Sequence, residues 1–167
     1  DPDDLWSIGY FRAKIACLNQ DWPVMLEQST EAAQQGDPDA HTAGSIALAR
    51  ACAMAGQNDV QTAAEQYEEG WSERGSNADS DDYRFASWYW INRGETQRAI
   101  ELRLQQQTAI DGKGRYWEQA CGAEHLIQMY AAEGNQQEAE SWRGHLQTIC
   151  QELKDASRFQ EVLEGDG

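Results

Sequence analysis

The feature that most constrains this chain is a two-helix pattern that recurs along its length and turns each time at a small or flexible residue. The turn residues are Asn19, Gly56, Gly94 and Gly134, and they lie 37, 38 and 40 residues apart. Periods of this size are typical of arrays of stacked helical hairpins. Because one hairpin cannot bury its apolar side alone, the repetition predicts hairpins that pack against their neighbours in series.

The composition favours an all-α fold. Ala, Gln, Glu, Leu and Arg are abundant, runs of β-branched residues are nearly absent, and there are only three prolines. We therefore predict an all-α protein, an α-α superhelix of about four antiparallel helical hairpins with a C-terminal capping helix. The hairpins are predicted at residues 5–35, 39–74, 81–110 and 115–153, the cap at 155–164, and all of them in a single domain, 1–167.

The charge excludes some classes of partner. The chain has 29 acidic and 13 basic residues, which give a formal net charge of −16. Such a charge repels phosphate backbones and anionic lipid headgroups. No apolar stretch approaches the roughly 20 residues that a membrane-spanning helix needs. We therefore expect no direct binding of nucleic acid, no membrane insertion and a cytoplasmic location.

Local patterns predict individual helices. Ile8, Phe11, Ile15 and Leu18 recur at steps of three or four residues, as one apolar face of a packed helix requires. Asp21 is predicted to cap the second helix. Near the C-terminus, Phe159, Val162 and Leu163 form a short amphipathic segment that is expected to cover the end of the stack.

The residues around the turns resemble the tetratricopeptide repeat (TPR) family. Its unit has a large and a small residue on the first helix, an aromatic residue four positions before a turn Gly, and alanines with an aromatic residue on the second helix. The third hairpin matches with Tyr83, Ala86, Ser87, Trp90, Gly94 and Ala99, and the fourth with Ala123, Leu126, Tyr130, Gly134 and Ala139. The hairpins are longer than the family's 34 residues, so the array is divergent, and HEAT-type helical pairs are an alternative.

The resemblance implies a non-enzymatic scaffold or adaptor domain that binds a peptide or protein segment in a concave groove. In TPR-like arrays the first helix of each unit lines this groove, and carrying the positions over gives the candidate binding residues Arg50, Met54, Arg84, Trp88, Ile91, Asn92 and Gln128. Hairpins of nearly 40 residues also look like those attached to bacterial transcription regulators. The resemblance therefore implies the sensing or assembly part of a larger regulator, with a protein or peptide partner and no cofactor.

Within this set Trp88 carries most weight, because Trp90 is expected to fill the core and two neighbours in a helix cannot share one direction. Arg50, Arg84 and Asn92 could hold a carboxylate through paired N–H donors and an amide. The alternative for these arginines is pairing with local acidic side chains on a solvated face. The alternative for the function is a small-molecule sensor whose ligand lies among Trp88, Arg84 and Arg50.

The sequence contains no clear catalytic or metal constellation. Cys121 and His125 lie one helical turn apart, but two ligands do not make a metal site, and a buried thiol and a surface histidine are expected instead. Asn77, Asp79 and Asp81 alternate like the start of a calcium loop. Because Asp82 occupies the position of the required Gly, a capped loop that leads into a new helix start is expected there. The four cysteines show no C-x-x-C spacing and are expected to be buried, reduced thiols.

Overall fold

The structure is a computed structural model that describes residues 5–35 and 38–165. Within these residues it contains α-helices, two short 3-10 helices at Gly75–Asn77 and Ser157–Phe159, and no strand. The predicted all-α, helical-hairpin class is therefore confirmed. The α-helices are α1 (Leu5–Leu18), α2 (Trp22–Gln34), α3 (Ala40–Gly56), α4 (Val60–Arg74), α5 (Ser80–Asn92), α6 (Thr96–Ile110), α7 (Tyr116–Ala132), α8 (Gln136–Cys150) and α9 (Gln160–Glu164).

The helix ends follow the signals in the sequence. The Asp21 carboxylate accepts the backbone N–H of Val24 at 3.3 Å and caps α2, as predicted. Gly94 and Gly134 have φ angles of 76° and 75°, a left-handed backbone that glycine adopts without steric cost. In the ranges 5–35 and 38–165, no helix has both the length and the apolar character needed to cross a lipid bilayer.

The chain divides into two compact units, Asp1–Ala99 (unit 1) and Ile100–Gly167 (unit 2). In unit 1, α1 packs on α2, α2 packs on α3, and α3 packs on α4 and α5. The central helix α3 is rich in small residues, which lets its neighbours approach closely. A Cβ atom on Gly70 of α4 would lie only 2.7 Å from the carbonyl oxygen of Gly44 in α3.

Aromatic side chains join α4 to α5. The rings of Tyr67 and Tyr89 stack with their centroids 4.2 Å apart, and the indole Nε1 of Trp90 donates to the Tyr67 hydroxyl at 3.1 Å. Phe85 and Tyr89 are buried aromatic residues of α5, whereas Trp88 and Trp90 are both half-buried and pack against the same core. The expectation that Trp90 fills the core is thus corrected by about one residue step, a rotation of roughly 100° about the helix axis.

Unit 2 has its own core between α7 and α8, which also receives the C-terminal segment. Phe159 is fully buried in this core, and Val162 and Leu163 pack against it. The predicted capping segment is therefore confirmed, although α9 itself begins at Gln160. All four cysteines are free thiols, and they are buried except for Cys150, which is half-buried.

The first helix corrects one prediction. Ile8, Phe11, Ile15 and Leu18 are exposed, and the buried side of α1 carries small residues instead. The reason is the close approach of α1 to α2: a Cβ atom on Gly9 would lie 2.8 Å from the carbonyl oxygen of Gln28. Only small side chains fit between two backbones at this separation.

Candidate functional site

Six of the seven predicted binding residues lie in unit 1, on α3 and α5. The α3 helix places Arg50 on the one position between Gly44 and Ala55 that is not buried. Because α3 has neighbours on several sides, its other side chains in that stretch are enclosed, including Met54, which is only 8% exposed. A ligand would therefore meet Arg50 first among the α3 candidates.

Arg50 differs from most arginines of the chain. Its Nε atom is buried and has no hydrogen-bond partner, and its side chain forms no ion pair within residues 5–35 and 38–165. Leaving a buried N–H donor without an acceptor costs about 1–3 kcal/mol. Seven other arginines pair with a carboxylate: Arg74, Arg84, Arg93, Arg98, Arg115, Arg143 and Arg158. In a chain with this excess of acidic residues, the unpaired state of Arg50 is unusual.

Arg84 is held by a local network. Its terminal nitrogen lies 3.1 Å from one carboxylate oxygen of Asp81. The other carboxylate oxygen accepts a hydrogen bond from Nζ of Lys14 in α1 at 2.9 Å. The alternative for both arginines was pairing with nearby acidic side chains. The structure shows such a pair for Arg84 and, in the part of the chain that it describes, none for Arg50. An incoming carboxylate at Arg84 would have to compete with Asp81.

The other predicted residues of α5 connect to the core. The side-chain amide of Asn92 donates to the backbone carbonyl of Cys52 in α3 at 3.2 Å, which ties the two helices together. The Trp88 ring lies 5.5 Å from the ring of Trp22 at the start of α2. Ile91 is half-buried. Trp22 and Trp88 both pack against the core to which buried residues of α3 belong.

Gln128 lies apart from these residues in the sequence and belongs to unit 2. It is exposed on α7 and lines a cavity of about 520 Å³ together with Ile127, Arg143 and residues of α9. This cavity mixes apolar and polar side chains.

The ion pairs of the buried Arg74 in unit 1 were not anticipated from the sequence. Arg74, at the end of α4, is buried and forms an ion pair with Asp82, which is fully buried, and a second one with Asp79 at 3.3 Å. Asp79 also caps α5 and forms a capping box with Asp82, so the expected capped helix start is confirmed. The only local signal was the pair of acidic residues three positions apart, which the cap alone explained.

Burial governs the ionisation of this cluster. Desolvation, with a further contribution from the negative charge of Asp79, raises the pKa of Asp82, and Arg74 only partly opposes this rise. Burial also raises the pKa of Tyr10 far above its ordinary value, and the charge of Asp82 adds to that effect. Tyr10 therefore remains a protonated donor at neutral pH. The cluster joins α1, α4 and α5 by charge and hydrogen bonding.

A cavity of about 310 Å³ lies beside this cluster. It is lined by side chains of α1, α3 and the α4–α5 connection, among them Tyr10, Lys14, Ser45, Arg74 and Asp79. Cations, an acid and hydroxyl groups all border it. The side chains around the cavity carry charges of both signs, so they favour neither an anionic nor a cationic ligand.

In unit 2 a second arginine is buried. Arg103 of α6 donates through Nε to Nδ1 of His125 at 3.1 Å and through a terminal nitrogen to the side-chain oxygen of Gln106 at 2.7 Å. His125 is only 6% exposed, so the expectation of a surface histidine is wrong. The spacing in α7 could not reveal this, because the enclosing side chains come from other parts of unit 2.

Within the described residues, no group of three or more His, Cys, Asp or Glu side chains is arranged to hold a metal ion. The Nδ1 atom of His125, which the spacing with Cys121 had suggested as half of a ligand pair, accepts the Arg103 hydrogen bond instead.

The candidate site is thus a half-buried arginine on the central helix of unit 1, and its side chain has no acidic partner among the described residues. No model of a protein family matches the chain, and neither the curated proteins nor the solved structures contain a significant match, so the resemblance to TPR arrays remains a prediction from the residues.

Proposed function

We propose that this chain is a non-enzymatic binding domain that receives a protein or peptide segment at α3 of unit 1, with Arg50 as the anchor for a carboxylate. The observation that carries this proposal is the half-buried Arg50 side chain without an acidic partner. A carboxylate would supply the missing charge, and hydrogen bonds between ionised groups are about twice as strong as neutral ones. Trp88 and Trp22, which are half-buried and contact each other in the same unit, would supply apolar contact area to a segment that reaches them.

The net charge restricts the kind of segment. At −16, the chain repels a strongly acidic peptide and attracts a basic or neutral one. The carboxylate that reaches Arg50 is therefore best supplied by the C-terminus of such a segment. Sensing or assembly within a larger regulator is the role that this type of recognition suits.

The proposal is tested with a display library of random peptides that carry free C-termini. Selected peptides are synthesised with a free or an amidated C-terminus, and their affinities are measured by fluorescence anisotropy. We expect amidation and Arg50→Ala each to weaken binding by about 10- to 100-fold, because a charge-assisted hydrogen bond contributes about 1.5–3 kcal/mol. Arg50→Lys retains the charge but not the fork of donors, so its peptide affinity should lie between those of wild type and Arg50→Ala.

Arg98→Ala is the matched control. Arg98 is an exposed arginine of unit 1 and pairs with Glu95 at 3.1 Å. Its loss should leave peptide affinity unchanged. Equal binding by wild type and Arg50→Ala, or equal binding of free and amidated peptides, would contradict the proposal.

The same observation supports a second candidate, a sensor of small organic acids. A small carboxylate such as benzoate would pair with Arg50 and cover little surface beyond it. If this candidate is correct, small acids alone should raise the melting temperature in a way that Arg50→Ala abolishes, and lengthening them into peptides should add no affinity.

A further inference from the structure

Helix α1 has two apolar sides that face in opposite directions. One side consists of Gly9, Ala13, Ala16 and Cys17 and is buried in unit 1. The other side is the outer stripe, which we define as Ile8, Phe11, Ile15 and Leu18, and its residues are 47–61% exposed. At about 100° per residue, the centres of the two sides lie on opposite faces of the helix. A helix that is apolar all round is normally covered on both sides.

The outer stripe is the main apolar exposure among the described residues. Eight large hydrophobic residues are exposed among all the described residues. Five of them lie on α1 or at the start of α2, namely the four residues of the stripe and Val24. Each side chain of the stripe exposes on the order of 100 Å², so the stripe offers about 400 Å² on each copy. A contiguous apolar patch of about this size is typical of the largest patch on a soluble protein, and that patch is often an interaction site.

The spacing of the stripe is that of a two-stranded helix pair. Steps of three, four and three residues place Ile8 and Ile15 at a positions and Phe11 and Leu18 at d positions of a heptad. β-branched residues at a with Leu at d favour pairs of helices over larger bundles. In a parallel pair each a and d residue meets the same residue of the other copy, so the stripe can pair with itself about a twofold axis.

The charges around the stripe favour a second copy as the occupant. Although the chain has a net charge of −16, α1 contains no acidic residue between Leu5 and Leu18. Its two cations are Lys14, which is paired with Asp81, and the exposed Arg12. In a parallel pair Arg12 comes beside Ser7 of the other copy, where the e and g positions meet, so the two Arg12 side chains do not face each other.

We propose that the outer stripe of α1 is a self-association surface through which two copies of this chain pair. This pairing goes beyond the proposed peptide site, because it uses the exposed side of α1 and not Arg50 of α3. The buried area, about 800 Å² for both copies, lies below the roughly 1,200–2,000 Å² that stable specific interfaces bury. The dimer is therefore expected to be weak and to exchange with monomer at micromolar concentrations.

The test is sedimentation velocity on the wild-type chain over a concentration series from low micromolar to millimolar. The average mass should rise toward twice that of the monomer, and Phe11→Glu or Ile15→Glu should keep the chain monomeric throughout. Both side chains are exposed, so the variants should fold, which circular dichroism checks. Val60→Glu is the matched control, since Val60 is a similarly exposed apolar residue on α4, and it should dimerise like wild type.

Salt gives an independent readout. Two copies with a charge of −16 each repel one another, and added salt screens this repulsion while leaving an apolar contact intact. Dimerisation should therefore strengthen between low and moderate salt. A wild-type chain that stays monomeric at millimolar concentration, or a dimer that persists in both glutamate variants, would overturn the proposal. Peptide binding should be unaffected by Phe11→Glu, which separates this test from that of the proposed function.

Discussion

Helices α1 and α3 are alike in sequence and differ in surroundings. Neither contains an acidic residue, and each carries apolar or small residues on all sides. α3 contacts α1, α2, α4 and α5 and is enclosed by them, whereas α1 is buried on one side only. The difference shows that an apolar pattern reports how many neighbours a helix needs. It does not report which of these neighbours belong to the same folded unit.

The largest change in stability is expected when a buried ion pair beside α3 is removed. Arg74 lies against Gly44 of α3 and forms the buried ion pair with Asp82. Arg74→Ala leaves a carboxylate buried without its counter-ion and should lower the free energy of unfolding by about 3–5 kcal/mol in urea titrations. Arg98→Ala, which breaks an exposed pair, should cost no more than about 1 kcal/mol. Similar losses in both variants would show that the buried pair contributes nothing particular.

The next prediction compares the two helices directly through one chemical change. Leu48 on α3 is fully buried, and Leu18 on the outer stripe is 53% exposed. Leu48→Ala should lower the free energy of unfolding by about 3 kcal/mol through a cavity. Leu18→Ala should change it by no more than about 0.5 kcal/mol at a concentration where the chain is monomeric. The measurement is urea denaturation followed by circular dichroism, and equal losses would contradict the assigned orientation of α1.

A smaller effect tests the inner side of α1. In Gly9→Ala the new Cβ would lie 2.8 Å from the backbone oxygen of Gln28, which cannot move easily, so a loss of about 1–2 kcal/mol is expected despite the better helix propensity of Ala. A Cβ atom on Gly144 in α8 would instead point into open space, with no atom of another segment within 4 Å. Gly144→Ala should therefore stabilise by about 0.5–1 kcal/mol. Thermal denaturation should show opposite signs, and a shared sign would argue against the close α1–α2 contact.

The smallest expected effect is a pH dependence. Burial raises the pKa of Asp82 above 3.8, so the folded state holds this proton more tightly than the unfolded state. The associated stabilisation is complete below pH 3.8 and is lost as the pH rises through the folded-state pKa. Without Arg74 that pKa rises further. The stability deficit of Arg74→Ala should therefore shrink as the pH is lowered toward 3.8, whereas a constant deficit would exclude Asp82 as its source.

Much of the local structure could be predicted from single segments. The caps at Asp21 and Asp79, the turns at Gly94 and Gly134 and the buried C-terminal Phe159 all depend on residues a few positions apart. The facing of α1 could not be predicted in this way. Its periodicity identifies two apolar sides, and only the approach of α2 decides which one is buried.

The candidate site was predictable in part. The positions of Arg50 and Arg84 on the first helices of their hairpins follow from the repeat, but their ionic partners do not. Arg84 has an acid three residues before it on the same helix, which is a local feature. Whether an acid reaches Arg50, or Arg103 meets His125, depends on helices that are distant in sequence.

The sequence by itself determined that the chain is helical, where its helices begin and end, and that they are arranged as hairpins, because these properties follow from hydrogen bonding and side-chain periodicity over a few turns. Only the tertiary structure decided which apolar side of α1 faces solvent and which arginine lacks an acid. Burial and charge pairing depend on the distances between helices, and those distances are set by the packing of small residues across segments far apart in the chain.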